Sequence, residues 1–207
     1  MKLYGASPSH FTRKVRVVLH ELGLQFEFAA LSRLLEATPD AFGENPLLQM
    51  PVLEDRGYRL IESDLICEYL IERYGKKQVR FYPIKGDGIL HRQRLAIMNG
   101  GMGAGAKIMR AKRSAIPNFD DYAFFKQERA SLTASLEWLD KDLGPRLTYA
   151  AEEFTLLEIS LMCFVEWAPF REMVPNLDAY PNLKRFQAHW HEHASFAATR
   201  PSLAVPA

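Results

Sequence analysis

Two hydroxyls in this sequence stand directly ahead of helix-forming segments. Ser9 precedes a run in which Phe11, Val15, Val18, Leu19 and Leu22 recur at helical spacing. Ser63, preceded by Glu62, opens a second run with Ile66, Tyr69, Leu70 and Tyr74 on one face. A helix N-terminus presents unpaired amides and the positive end of the helix dipole, so a hydroxyl there helps to make an anion site. A plain N-cap uses the same residue types, and for Ser9 both readings are open. Ser7 and Tyr4 compete with Ser9, Ser7 from the turn and Tyr4 from a strand. His189 and His193 have the i, i+4 spacing of two metal ligands on a helix. No third or fourth ligand accompanies them, so no metal is expected. Residues 99–105 are rich in Gly but follow no strand, so they do not form a phosphate loop. Small residues in a long helix permit close approach of a partner helix or a ligand. Lys107, Arg110, Lys112 and Arg113 make a basic cluster that is either a solvated face or a lure for anions.

The elements that carry these residues change character along the chain. Residues 2–4 predict a strand, 11–22 a helix stopped by Gly23, and 25–31 a second strand. Residues 51–54 and 58–61 flank Asp55-Arg56-Gly57, a hairpin signal. Ser63 can cap the next helix, and Gly75 ends it. The order is β-α-β, then a connection, then β-β-α. Residues 76–87 read as a linker. Beyond it every period is helical, over residues 90–113, 120–143, 155–167 and 183–193. A strand-bearing half followed by an all-helical half, α/β plus all-α, predicts two packed domains, residues 1–78 and 88–207.

Composition excludes several classes. The chain has 207 residues, 48% hydrophobic and 25% charged, which fits a globular protein rather than a disordered or fibrous one. Lys plus Arg number 26 against 25 Asp plus Glu, a net charge of +1, so neither nucleic acid nor an anionic membrane is the expected partner. No apolar run is long enough to span a membrane and no signal-peptide core is visible. Cys67 and Cys163, both in apolar periodic segments, predict a reduced, cytoplasmic protein with two buried thiols.

Three segments in order carry a resemblance: residues 9–16 (SHFTRKVR), 45–53 (NPLLQMPVL) and 61–70 (IESDLICEYL). Together they resemble the cytosolic glutathione transferase family, in its bacterial form with an active-site Ser. Residues 154–159 (FTLLEI), 180–183 (YPNL) and 199–202 (TRPS) extend the likeness over the helical half. The resemblance implies an N-terminal thioredoxin-like domain, an all-helical C-terminal domain, a homodimer built on the helix over 90–113, and glutathione as co-substrate.

The site it implies has physical sense. A free thiol is only about 3% thiolate at pH 7, and lowering its pKa by about two units takes roughly 2.7 kcal/mol of differential stabilisation. A hydroxyl donor at a helix N-terminus supplies stabilisation of that kind, and the resemblance gives Ser9 this catalytic role. It implies a cis bond before Pro51, with the Met50 backbone pairing the peptide. Gln49, Glu62 and Ser63 then hold the rest of glutathione, Glu62 and Ser63 at its γ-glutamyl end. His10, Met98, Met102 and Met109 are expected at the second substrate, with a solvated His10 and plain core packing of the methionines as the other readings. His10 departs from the Pro many Ser-type relatives carry there, and Glu36 stands near the place where relatives often offer a His to the glycyl carboxylate. The expected activity is conjugation of glutathione thiolate to an apolar electrophile. A non-catalytic, partner-binding relative of the stringent-starvation type and a glutathione-dependent disulfide or peroxide reductase are the alternatives.

Overall fold

Strand β1 (Lys2–Gly5) buries Leu3 and Gly5 and turns Lys2 and Tyr4 outward, the alternation of a strand covered on one face. The computed structural model describes residues 1–75, 79–149 and 153–203. Helix α1 (His10–Glu21) follows, then β2 (Glu27–Ala30), parallel to β1 in the register Lys2 to Glu27. A 3-10 turn (Pro39–Phe42) lies in the connection to the hairpin β3 (Val52–Asp55) and β4 (Tyr58–Ile61). Helix α2 (Ser63–Tyr74) completes this half. The sheet order is β2-β1-β3-β4, with β3 antiparallel to both neighbours. The β-α-β then β-β-α order and the thioredoxin-like sheet agree with the sequence.

The helical half comprises α3 (Gly88–Arg113), α4 (Ala123–Leu143), α5 (Leu156–Phe170), α6 (Pro181–Trp190) and the short α7 (Ala194–Ala198). Helix α5 is the axis of the core, with Leu156 through Ala168 all buried. Its start is held by a capping box: Thr155 accepts from the Leu157 amide, and the buried Glu158 carboxylate accepts from the Thr155 and Tyr149 amides at 2.9 and 2.8 Å. Helix α3 is continuous through its glycines, and two of them permit close contact. An added Cβ at Gly101 would lie 2.6 Å from Phe164, and one at Gly105 2.5 Å from Trp167, so these two let α3 lie against α5. Asp140 on α4 accepts from the Asn182 and Leu183 amides and so caps α6 from outside.

Several boundaries move. The α4 period begins at Ala123 rather than 120, because Phe119–Asp121 forms a 3-10 turn. The helix expected over 183–193 ends at Trp190, and His193 stands at the start of α7, paired with Glu21 at 2.8 Å. His189 and His193 therefore do not share one helix face. Glu62, rather than Ser63, caps α2: its carboxylate accepts from the Asp64 amide at 2.9 Å. Part of the expected linker, residues 76–78, and with it the boundary at 78, lies outside the described residues. The rest of the linker is tied down, since Arg80 pairs through its backbone with Phe154 and Leu156.

Cys67 and Cys163 are both fully buried. Burial raises both thiols, Cys163 to about 11. Among the described residues no helix is long and apolar enough to cross a membrane.

Candidate functional site

The sheet brings the chemistry-bearing residues to one end. Strands β1 and β2 run parallel and finish there, β3 begins there, and β4 finishes there. Tyr4 pairs with Val52, so continuing that register places Pro51 opposite Gly5 and Met50 opposite Ala6. Val52 pairs with Ile61, so Glu62 and Ser63 leave β4 at the same end. The loop feeding β3 is shaped by the buried Asn45, whose amide donates to the Gln49 carbonyl at 2.8 Å and whose oxygen accepts the Leu47 amide at 2.9 Å. The Met50–Pro51 peptide is cis.

Between this end and the helical half lies a cleft of about 310 Å³. Ser9, His10, Gln49, Met50 and Met109 line it, five of the residues singled out from the sequence. Pro51, Glu62 and Ser63 lie at the same end of the sheet, at the starts of β3 and α2, and are not part of its wall. Met98 and Met102 are fully buried in the helical core instead of forming a wall. The helical period announces an apolar face on α3, but that face is spent on α4 and α5.

Ser9 holds two positions at once. Its Oγ accepts the Thr12 amide at 3.2 Å and so caps α1. A hydroxyl oxygen that accepts still has its own proton to donate. Ser9 lies on the cleft wall at the positive end of α1, so that proton is available to an anion in the cleft. Its competitors are placed elsewhere. Tyr4 donates to Glu54 at 3.1 Å across the sheet, and Ser7 accepts from Arg16 at 3.4 Å. Neither lines the cleft.

His10 is buried beneath the cleft with its ring 4.0 Å from that of Trp167. Its Nε2 lies 3.1 Å from the Met102 carbonyl, which only accepts, so Nε2 carries the proton. Burial, then the charge of Lys14, pushes the imidazole down to about 3. His10 is therefore neutral at pH 7 and fixed in one tautomer.

Several residues here escaped the sequence reading. Trp167 donates its indole N–H to the Pro8 carbonyl at 3.1 Å, tying α5 to the loop that presents Ser9. Arg171, just past α5, lines the cleft and joins Lys107, Arg110 and Arg113, which the sequence itself marks as a basic cluster. Lys14 is fully buried and donates to Asp64 and, at 2.9 Å, to Asn99, joining α1, α2 and α3 directly below the start of α2. Glu36 is exposed and pairs with Arg33 at 2.9 Å, so its charge is matched outside the cleft. Among the described residues no group of three His, Cys, Asp or Glu side chains is arranged to hold a metal.

Residues 3–78 match the family model described as the glutathione S-transferase N-terminal domain. The chain is 30% identical over 164 residues to glutathione S-transferase D7 of Anopheles gambiae, covering 77% of this chain and 72% of that protein. It is 28% identical to the uncharacterized GST-like protein YibF of Escherichia coli K12, covering 97% of this chain and 98% of that protein. A solved glutathione S-transferase from Methylobacillus flagellatus KT, with glutathione bound, superposes with a TM-score of 0.81 at 27% identity, over 97% of this chain and 99% of that one. One from Methylobacterium radiotolerans JCM 2831, in complex with glutathione sulfonate, gives the same TM-score at 24% identity, over 100% of this chain and 97% of that one.

Proposed function

The chain belongs to the glutathione transferase family, and we propose that it is a working transferase which uses the Ser9 hydroxyl to hold glutathione as its thiolate. The observation that carries this is the dual geometry of Ser9. Its oxygen caps α1 through Thr12, and the residue lines the cleft at the positive end of that helix, with a hydroxyl proton that the cap does not use. The glutathione bound in the similar Methylobacillus flagellatus structure supports the same co-substrate here.

In this reading Met50, at the lead-in to β3, pairs the cysteinyl part of the tripeptide. Glu62 and Ser63 at the start of α2 take its γ-glutamyl end, and Gln49 reaches the peptide from the cleft wall. A carboxylate near Ser63 meets the amides of a helix N-terminus, which favour anions. The reaction is a substitution or addition in which the sulfur–carbon bond forms. With an aryl halide the carbon–halogen bond breaks and halide leaves. Ser9 acts by stabilising the thiolate before and during attack, worth about 1.5–3 kcal/mol for a donor to a charged group. The division into a glutathione-binding unit, residues 1–78, and a helical unit, residues 88–207, belongs to this proposal, as does a homodimer.

The experiment is retention on immobilised glutathione followed by turnover with a generic aryl halide. Retention with turnover supports the reading. Retention without turnover but with reduction of a mixed disulfide points to the reductase alternative. Loss of both contradicts it and leaves a protein that only binds partners. Sedimentation that finds only monomer at micromolar concentration contradicts the dimer.

A further inference from the structure

The cleft wall is charged on one side only. Lys107, Arg110, Arg113 and Arg171 line it, and no Asp or Glu does. Lys107 is matched from outside by Glu128 at 2.8 Å. Arg110 reaches the Leu48 carbonyl at 3.5 Å. Among the described residues neither Arg113 nor Arg171 has a carboxylate within ion-pair distance, although Lys112, next to Arg113 on α3, reaches toward Glu172 at 4.0 Å.

Cations at the end of a helix have an ordinary explanation. The last turn of α3 holds Arg110, Lys112 and Arg113, where the helix dipole favours positive charge. The same dipole effect covers Arg171 at the C-terminus of α5, but it does not account for two helix ends bringing their cations to one cleft. Burial and then mutual repulsion disfavour the charged forms there: Arg113 is lowered by burial and by Arg110, and Arg171 by burial and by Arg113, with the neighbouring Glu172 acting the other way. Guanidinium groups stay charged at pH 7, so the cleft holds unmatched positive charge beside an apolar floor of Phe11, Met109 and Trp167.

We propose that the electrophile this cleft accepts carries an anionic group, a carboxylate or sulfonate, on an apolar ring-sized body, with Arg113 and Arg171 clamping the anion. This replaces the wholly apolar electrophile expected from the sequence and rests on the transferase reading above. A planar guanidinium fork matches a carboxylate in two hydrogen bonds, and the floor accepts the ring.

The test uses a matched pair of aryl chlorides, 4-chloro-3,5-dinitrobenzoate and its methyl ester. Each enzymatic kcat/KM is divided by the uncatalysed rate with glutathione. The wild-type protein is expected to prefer the acid about tenfold or more, and Arg113→Gln and Arg171→Gln each to cut that preference about tenfold. Arg171→Lys should restore part of it. No preference in the wild type overturns the proposal. So does a pair of Gln variants that raise KM for glutathione and leave the acid-to-ester ratio where it was, because the arginines then hold the tripeptide. Turnover of neither chloride contradicts the transferase reading itself. A binding arm then still decides the clamp: quenching of Trp167 by unreactive 3,5-dinitrobenzoate against its methyl ester. Tighter binding of the acid, lost in Arg113→Gln, supports the clamp; equal binding refutes it.

Discussion

His10 Nε2 donates to the Met102 carbonyl at 3.1 Å, a bond from the first turn of α1 to the middle of α3. It joins the segment that carries Ser9 to the helix that forms the opposite cleft wall. The other ring nitrogen, Nδ1, is buried and has no hydrogen-bond partner among the described residues. A protonated ring would have to bury a second donor with nothing to accept it.

This fixes the sign of a pH effect. Burial lowers His10 to about 3 in the folded chain, while an unfolded His titrates near 6.5. Between those values the unfolded chain binds a proton that the native chain does not, so stability falls as pH drops through the window. The slope from this one group approaches about 1.4 kcal/mol per pH unit. Denaturant midpoints of wild type and His10→Asn, taken from pH 7 to pH 4, should converge as pH falls. Parallel curves would show that His10 does not titrate as described.

The glycines of α3 predict opposite signs for neighbouring substitutions. Gly101→Ala drives a methyl to within 2.6 Å of Phe164 and should cost about 1–3 kcal/mol. Gly100→Ala meets nothing within 4 Å and should gain about 0.5–1 kcal/mol of helix propensity. Thermal melts of the two variants check this directly. Equal effects would mean that α3 does not lie against α5 as observed.

Much of this arrangement is legible in the sequence, for identifiable reasons. The short strands interleaved with helical periods before residue 76, and helical periods alone beyond the linker, give the order of strands and helices. The start of α5 falls in residues 154–159, which the resemblance covers, and its Thr155–Glu158 capping box is a local device. Ser9 is marked by the helix start it precedes, whereas Met50 comes from the family resemblance over residues 45–53. What escapes is long-range. Trp167 meets Pro8 across 159 positions, and no period says which helix end meets which loop. Arg171 lies outside every apolar run, so nothing local assigns it to a cleft. Met98 and Met102 show the complementary failure: an apolar face is evident, but not whether it turns to neighbouring helices or to a ligand.

The central claim is that the Ser9 proton stabilises bound thiolate, and the pH–rate profile of Ser9→Ala tests it most directly. The substitution also removes the cap of α1, at about 1 kcal/mol, so the pH dependence rather than the yield of active protein is the readout. Retention on immobilised glutathione should persist, because Met50, Glu62 and Ser63 hold other parts of the peptide in this account. Near pH 7 turnover should fall roughly ten- to a hundredfold, with the apparent pKa of bound glutathione raised, and the deficit should shrink toward high pH, where the thiol ionises unaided. A Ser9→Ala profile that overlies the wild type at every pH would contradict the account and leave Ser9 as a helix cap alone.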